Sequence, residues 1–367
     1  MKQARVRHPD FILCVPIVCL LALGLVMVRS ASGIESLELF RNPDAIFNKQ
    51  MVAAAIGMTA LLILMHIRCD LYRHPVILYG AVLVVLALLV GVKFQPAANG
   101  AQRWYFIGGF GFQPSDVAKI VLMMFVAAHA SKPKSQWVGW KERLIPIALV
   151  LIAFTSLIMW QPDFGTTMIL IFMVGVMLFL AGLPIGYFVL SGIFLLPIVA
   201  GLVMTEGYRM QRIMDFRADK DHYQTVQSKI ALGSGGLTGV GLGEGKQKLH
   251  FLPEPHTDFI FSTLGEEMGF VGTTFVVAMF LLFLWRSAIV LSRVESAHAQ
   301  LLGAGIVLLI LTQAFLNISV SLDLFPNKGL TLPFMSAGGT SLILCLAMCG
   351  ILLNISRLQV TDNRELV

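Results

Sequence analysis

Charged side chains are scarce in this chain. Asp, Glu, Lys and Arg make up 13% of its 367 residues, about half the share of an ordinary globular domain. That shortage excludes a soluble fold of this length, which would need far more polar cover. It also strips most meaning from the net charge of +6, which is no basic array for a nucleic acid. Cysteine is scarce as well. The five residues, Cys14, Cys19, Cys69, Cys345 and Cys349, all lie in or beside apolar runs, so no disulfide framework is expected. What abounds is apolar: 57% of residues are hydrophobic and the mean hydropathy is +0.80.

Those residues fall into runs near the roughly 20 residues that a membrane-spanning helix needs. Ten are predicted, at about 11–28, 46–66, 75–93, 115–130, 144–160, 165–182, 185–204, 262–285, 300–322 and 339–357. The expected fold is all-α and polytopic, one transmembrane domain over residues 1–367, with a single large extracytoplasmic loop at about 205–261. The first run follows Lys2, Arg5 and Arg7 and is read as a retained signal anchor, since further spans follow it. An even span count then puts both termini in the cytoplasm. Thirteen Lys and Arg residues fall on the inner side under this topology. Seven fall on the outer side once the long loop, which translocates largely regardless of charge, is set apart.

The outer segments carry the chemistry. Gln113-Pro114-Ser115-Asp116 and Gln161-Pro162-Asp163 each place a proline and then an acid at the head of an apolar run. Proline suits the first helical position, and the dipole favours an acid in the first turn. Both acids therefore read either as helix caps or as site groups, and Lys119 is spaced to pair with Asp116. The long loop holds a glycine-rich stretch, Gly233 to Gly245, with no strand–turn–helix context for a dinucleotide. Its glycines serve either a close backbone approach to a ligand or turns.

Next comes Leu252-Pro253-Glu254-Pro255-His256-Thr257-Asp258-Phe259. No serine has the context of a catalytic triad, and one histidine with scattered acids matches no metal-ligand spacing. Asp258 is either an N-cap or a catalyst. The last outer segment, Leu324 to Thr340, has two prolines and paired glycines, Gly338 and Gly339. It reads as re-entrant backbone walling a cavity.

Together these motifs resemble the SEDS family of shape, elongation, division and sporulation proteins, the group of FtsW and RodA. The resemblance rests on Asn99-Gly100-Ala101 to Trp104, Gln113 to Lys119, Gln161 to Gly165, Gly233 to Gly243, Leu252 to Phe261 with Gly265-Glu266-Glu267, and Lys328 to Ser341. Gln247-Lys248-Leu249 and Lys328 to Pro333 look more like FtsW than RodA. Two positions depart from the family pattern: Asp116 stands where glutamate is usual, and Ala337 where tyrosine is usual.

The resemblance implies a peptidoglycan glycosyltransferase that polymerises lipid II at the outer face of a bacterial cytoplasmic membrane. It implies a class B penicillin-binding protein as partner, among other membrane proteins of division or elongation. It makes Asp258 the essential acid, with Arg103, Asp116, Lys119 and Asp163 lining the cavity beside it. Arg103, Lys119 and Lys328 are the candidates for the pyrophosphate. Glu254 and Glu267 are further cavity acids, and His256, Gly338 and Gly339 are loop elements of the site. Asp116 and Asp163 are candidates to hold a divalent ion, Mg2+ or Mn2+. A lipid II flippase and a noncatalytic scaffold of the division machinery are the alternative readings.

Overall fold

The computed structural model describes residues 8–97, 101–107, 110–131, 140–204, 223–326 and 329–358. The helices in chain order are α1 (Phe11–Phe40), α2 (Ala45–Leu64), α3 (Pro75–Gly91), α4 (Pro114–Ala130), α5 (Trp140–Trp160) and α6 (Phe164–Leu180). They continue with α7 (Ile185–Met204), α8 (Tyr223–Ser234), α9 (Ile260–Ser292), α10 (Ala297–Ser321) and α11 (Gly339–Ser356). A short antiparallel hairpin, β1 (Tyr105–Ile107) and β2 (Phe110–Phe112), pairs Tyr105 with Phe112.

Every predicted apolar run coincides with a helix. Among the described residues, seven helices are long and apolar enough to cross a membrane, and α6 is a shorter apolar one. The chain is a multi-pass membrane protein. The local signals explain the helix starts: Pro75 and Pro114 occupy the first turns of α3 and α4. Asp10 and Ser296 cap α1 and α10 by accepting from the backbone N–H groups of Leu13 and Ala299.

α4 sits at the centre, packed by α3, α5, α6 and α10, and most of its side chains are buried. Close helix contacts rely on small residues, as expected where lipid supplies no hydrophobic contrast. A methyl group at Gly350 on α11 would stand 2.5 Å from the Leu61 carbonyl oxygen of α2.

Three departures from the expected spans matter. First, α1 does not stop near residue 28. It runs 30 residues, about 45 Å against a hydrocarbon core of about 30 Å, and carries Ser30 and Glu35 beyond the apolar stretch. Secondly, the long loop is partly helical, since α8 packs on α9 and α10. Its segment Tyr208 to Arg217 lies outside the described residues.

Thirdly, α9 is broken at Gly269 (φ 64°, ψ −160°), and the glycine-rich stretch fills the break. The N–H groups of Val240 and Gly241 donate to the Glu266 and Glu267 carbonyls at 3.0 and 3.1 Å. Those of Phe270 and Val271 donate back to Gly236 and Leu237 at 2.9 and 3.1 Å. The groups orphaned by the kink are thereby satisfied, as buried backbone requires. A Cβ on Gly239 (φ 82°) would overlap the Glu267 carbonyl oxygen. Of the two roles read for these glycines, turns are seen, with positive φ at Gly236, Gly239, Gly241 and Gly243, and the close approach at Gly239 is to the chain's own backbone.

The two ends of the bundle differ. At one end Arg286 grips Asp10 with three contacts of 2.6–3.0 Å, while the Asp10 N–H donates to Ser356 Oγ at 3.0 Å. Nearby, Asn354 Nδ2 donates to the Met65 carbonyl at 2.6 Å and Cys69 Sγ to Asn354 Oδ1 at 2.9 Å. Side chains thus tie α1, α9 and α11, and the turn after α2, to one another. The opposite end collects the motifs.

Candidate functional site

The expected re-entrant segment between α10 and α11 organises this end. Phe334 and Met335 are fully buried, and their backbone meets α1 at Gly24, where a Cβ would lie 2.6 Å from both the Phe334 oxygen and the Met335 Cα. Gly24 is mid-span on α1, so the loop dips into the bundle. Returning outward, Ala337 N–H donates to the His256 carbonyl at 2.8 Å and Ser336 Oγ to the Thr257 carbonyl at 2.6 Å. Gln50 of α2 clamps the same turn, donating to Ser336 O and accepting from the Gly338 N–H. Gly338 and Gly339 therefore form the entry to α11 beside the Pro-Glu-Pro-His-Thr-Asp stretch.

Asp258 is not a helix cap. The N-cap of α9 is Phe259, with no side-chain cap bond. The Asp258 backbone is held instead: Asn317 of α10 donates its amide to the Asp258 carbonyl at 2.8 Å and to Leu330 O at 2.6 Å. A Cβ on Gly329 (φ 59°) would stand 3.3 Å from Asp258 Oδ2, in tight contact with the carboxylate. Burial pushes the Asp258 carboxyl up to about 6, and the neighbouring Glu254 carboxylate adds to the rise. Glu254 sits at φ 52°, a strained conformation for a residue with a Cβ. Its carboxylate accepts from Thr257 Oγ1 at 2.9 Å.

A second cluster lies at the heads of α4 and α6. Lys119 Nζ meets Asp116 Oδ1 at 2.7 Å, with side chains only 5% and 15% exposed. Asp163 caps α6 by accepting from Thr166 N–H at 3.1 Å, and its other oxygen takes Gln113 Nε2 at 3.4 Å. Arg103 donates from Nε and Nη2 to the Gln161 and Pro162 carbonyls at 2.8 and 2.7 Å. The head of α11 reaches the hairpin that precedes α4, where Thr340 Oγ1 donates to the Gly111 carbonyl at 2.9 Å, and Thr331 bonds Ser341. Among the described residues no hydrogen bond or ion pair links Asp258 itself to Arg103, Asp116, Lys119 or Asp163. Lys328, and with it Asn99 and Gly100, lies outside the described residues.

One expected cavity acid, Glu267, takes another role, and so does its neighbour Glu266. Glu267 is wholly buried and locked: Lys248 Nζ lies 2.7 Å from Oε1, Ser30 Oγ donates to both oxygens at 2.6 and 2.8 Å, and Gly243 N–H donates to Oε2 at 3.1 Å. Glu266 accepts from the Lys246 and Gln247 N–H groups. These acids pin the glycine stretch to α9 and stand apart from the Asp258 cluster. Among the described residues no third ligand joins Asp116 and Asp163, whose carboxylates are engaged by Lys119 and by the α6 N-terminus and Gln113. Among the described residues the one group of three side chains with metal-ligand spacing is Glu35, Glu254 and His256. Glu35 lies in the polar extension of α1, which the apolar run does not announce. Its signal is the buried series Gly24, Met27, Val28, Ala31, Ser32 and Ser36, a helical period that continues past the hydrophobic stretch.

This is a polytopic helical membrane protein with a cluster of ionisable groups around a re-entrant loop at one end. The sequence profile of the FtsW/RodA/SpoVE family, described as cell cycle protein, matches residues 11–360, and the chain belongs to that family. A probable peptidoglycan glycosyltransferase FtsW of Geobacter sp. (strain M18) is 38% identical over 96% of this chain and 98% of its own. The stage V sporulation protein E of Bacillus subtilis (strain 168) is 35% identical over 95% and 97%. Among solved structures, a chain from work on coordinated polymerization and crosslinking by a peptidoglycan synthase complex aligns with a TM-score of 0.78 at 26% identity, covering 96% of this chain and 99% of that one. The rod shape determining protein RodA of Thermus thermophilus aligns at 0.70 and 28%, covering 96% and 98%.

Proposed function

We propose that this chain is a peptidoglycan glycosyltransferase that polymerises lipid II, with Asp258 as its general base. The observation that carries this is the state of Asp258. Its backbone is held by Asn317 of α10, the two residues before it are held by the re-entrant loop, its side chain caps nothing, and its pKa is raised to about 6. A carboxylate so tuned is ionised at neutral pH yet basic enough to receive a proton.

The chemistry needs little more. The sugar passes from an α-linked polyprenyl pyrophosphate to the 4-hydroxyl of the next lipid-linked disaccharide, and the product is β-linked. One in-line displacement inverts the centre, so no nucleophilic partner carboxylate is required. As the acceptor oxygen bonds the anomeric carbon, its proton goes to Asp258 and the pyrophosphate leaves. Departing negative charge calls for cations. Arg103 and Lys119 supply them on this reading, with Lys328 as a third candidate. Arg103 has Nη1 left to offer a phosphate while Nε and Nη2 hold the Gln161 loop, and Lys119 is held in place by Asp116.

The same proposal places ten crossings in a bacterial cytoplasmic membrane as one domain, with both termini in the cytoplasm and the Asp258 end outside. It gives the chain a class B penicillin-binding protein as partner, in division or elongation. The test is polymerisation of labelled lipid II by the chain co-expressed with that partner, with moenomycin present to silence conventional glycosyltransferases. A glycan ladder that disappears in Asp258→Asn at unchanged expression supports the reading. An intact complex that makes no ladder, but moves lipid II across liposome bilayers, replaces it with a flippase.

A further inference from the structure

We propose that Glu35, Glu254 and His256 form a divalent-cation site joining the outer end of α1 to the loop that ends in Asp258. One ligand atom from each side chain lies within 4.8 Å of the others. Ligands held at about 2.1 Å from one ion are separated by about 3–4 Å, so a small side-chain adjustment brings all three onto a common centre. The residues come from two segments more than two hundred positions apart in sequence, which is why no ligand spacing is visible in the chain itself.

His256 supplies the second and independent observation. The residue is 6% exposed, and its Nδ1 has no hydrogen-bond partner, although Glu35 Oε2 stands 3.3 Å away. A buried ring nitrogen in that state calls for an explanation. Its backbone is already committed, because the His256 carbonyl accepts from Ala337. The ring is therefore presented rigidly toward the two acids. Beside them is an open cavity of about 280 Å³, lined in part by Glu35, Glu38, His250 and Glu254, with room for water to complete a coordination shell.

The donor set selects the ion. Two carboxylate oxygens and one imidazole nitrogen suit Mn2+ or Zn2+, whereas Mg2+ and Ca2+ prefer oxygen throughout. A neutral imidazole with two carboxylates carries two negative charges, which a divalent ion neutralises. Such an ion would brace the loop from its outer side, opposite the hydrogen bonds that Asn317 and Ser336 make from within. The ordinary alternative is a His256–Glu35 ion pair with no ion.

The experiment is Mn2+ binding to the full-length protein in detergent after chelator treatment, followed by electron paramagnetic resonance. The expected result is one Mn2+ per chain with a nitrogen-14 coupling in the pulsed spectrum, the signature of an imidazole ligand. Glu35→Gln should weaken binding tenfold or more, and His256→Gln should remove the nitrogen coupling. Glu35 is 38% exposed at its side chain, so its variant keeps the fold even if His256→Gln does not. Absence of bound Mn2+, bound Mn2+ without the nitrogen coupling, or unchanged binding in Glu35→Gln would overturn the proposal in favour of the ion pair. Because the ion itself is observed, failure here leaves the polymerase reading untouched.

Discussion

The break in α9 is held by a buried ion pair, and its cost when broken can be worked out. Lys248 and Glu267 are 7% and 0% exposed at their side chains and meet at 2.7 Å. Glu267→Ala removes the acid but leaves the ammonium buried against the Gly243 carbonyl and Ser30 Oγ. Leaving one charge of a buried pair uncompensated costs about 3–5 kcal/mol. With an unfolding entropy of about 2.1 cal/mol/K per residue over 367 residues, that corresponds to a fall of roughly 4–6 °C in Tm.

Replacing both partners, Lys248→Met with Glu267→Gln, leaves no orphaned charge. The glutamine still accepts from Ser30, so the double variant should lose less than either the Glu267→Ala or the Lys248→Ala single variant. Intrinsic-fluorescence melting of the purified chain in detergent measures all of these. A Glu267→Ala melt within 1 °C of the parent on that scale, or a double variant that loses as much as both singles combined, would refute the account of the break as an electrostatic lock. The functional consequence follows from connectivity. Lys248 lies ten residues before Asp258, so a loosened lock should lower polymerisation even where expression is unchanged.

Other outcomes are as definite. Polymerisation should fall about tenfold between pH 7 and pH 5, because a base with a pKa of about 6 passes from mostly ionised to mostly protonated across that interval; a flat profile there rules out Asp258 as the titrating base. By linkage the same raised pKa opposes folding above about pH 6 and ceases to do so below the ordinary aspartate value, so Asp258→Asn at pH 7.5 should abolish the ladder without lowering Tm. Arg103→Lys cannot donate to both Gln161 O and Pro162 O in the fork that arginine makes, and should cut polymerisation by an order of magnitude or so, roughly 1–2 kcal/mol, read from ladder intensity. Gly350→Ala should destabilise by about 1–3 kcal/mol because its methyl meets Leu61 backbone 2.5 Å away, while Gly80→Ala, with nothing within 4 Å, should leave the melt unchanged.

The helices were legible because the bilayer sets their length, and each apolar run has its helix. Positions hidden from sequence are those where a single pattern has two structural outcomes. Asp163 and Asp258 both precede an apolar run, and both read equally as caps. Asp163 is one, accepting from Thr166; Asp258 is not, because α9 begins a residue later and Asn317 holds the loop by its backbone. The break at Gly269 was hidden because a glycine within an apolar stretch reads as helix, and only the facing glycine run supplies the hydrogen bonds that a kink needs. The resemblance makes Glu267 a cavity acid, yet its partners are Ser30 of α1, Gly243 and Lys248. No sequence pattern relates Ser30 to Glu267 or Glu35 to His256. Those pairings exist only because α1 runs on beyond the membrane core.

That extension bears on whether the molecule catalyses or carries. A carrier must open its two ends in turn around a central site. Here the Asp10 end is tied by a multiply bonded arginine pair and by Asn354, each connecting separate segments of the chain. Two of the polar residues that would mark a transport path, Asn317 and Asp323, are committed. Asn317 holds Asp258 and Leu330, and Asp323 pairs with Lys229 at 2.8 Å. The cluster around Asp258 lies at the other end, around a loop that enters from that end and returns to it. Substrates with lipid tails and polar heads suit such a plan, since the tails stay in the bilayer while the heads meet at its edge. A site at one end of the bundle suits a polymerase of lipid-linked sugars, whereas a carrier needs a central site open to both ends in turn.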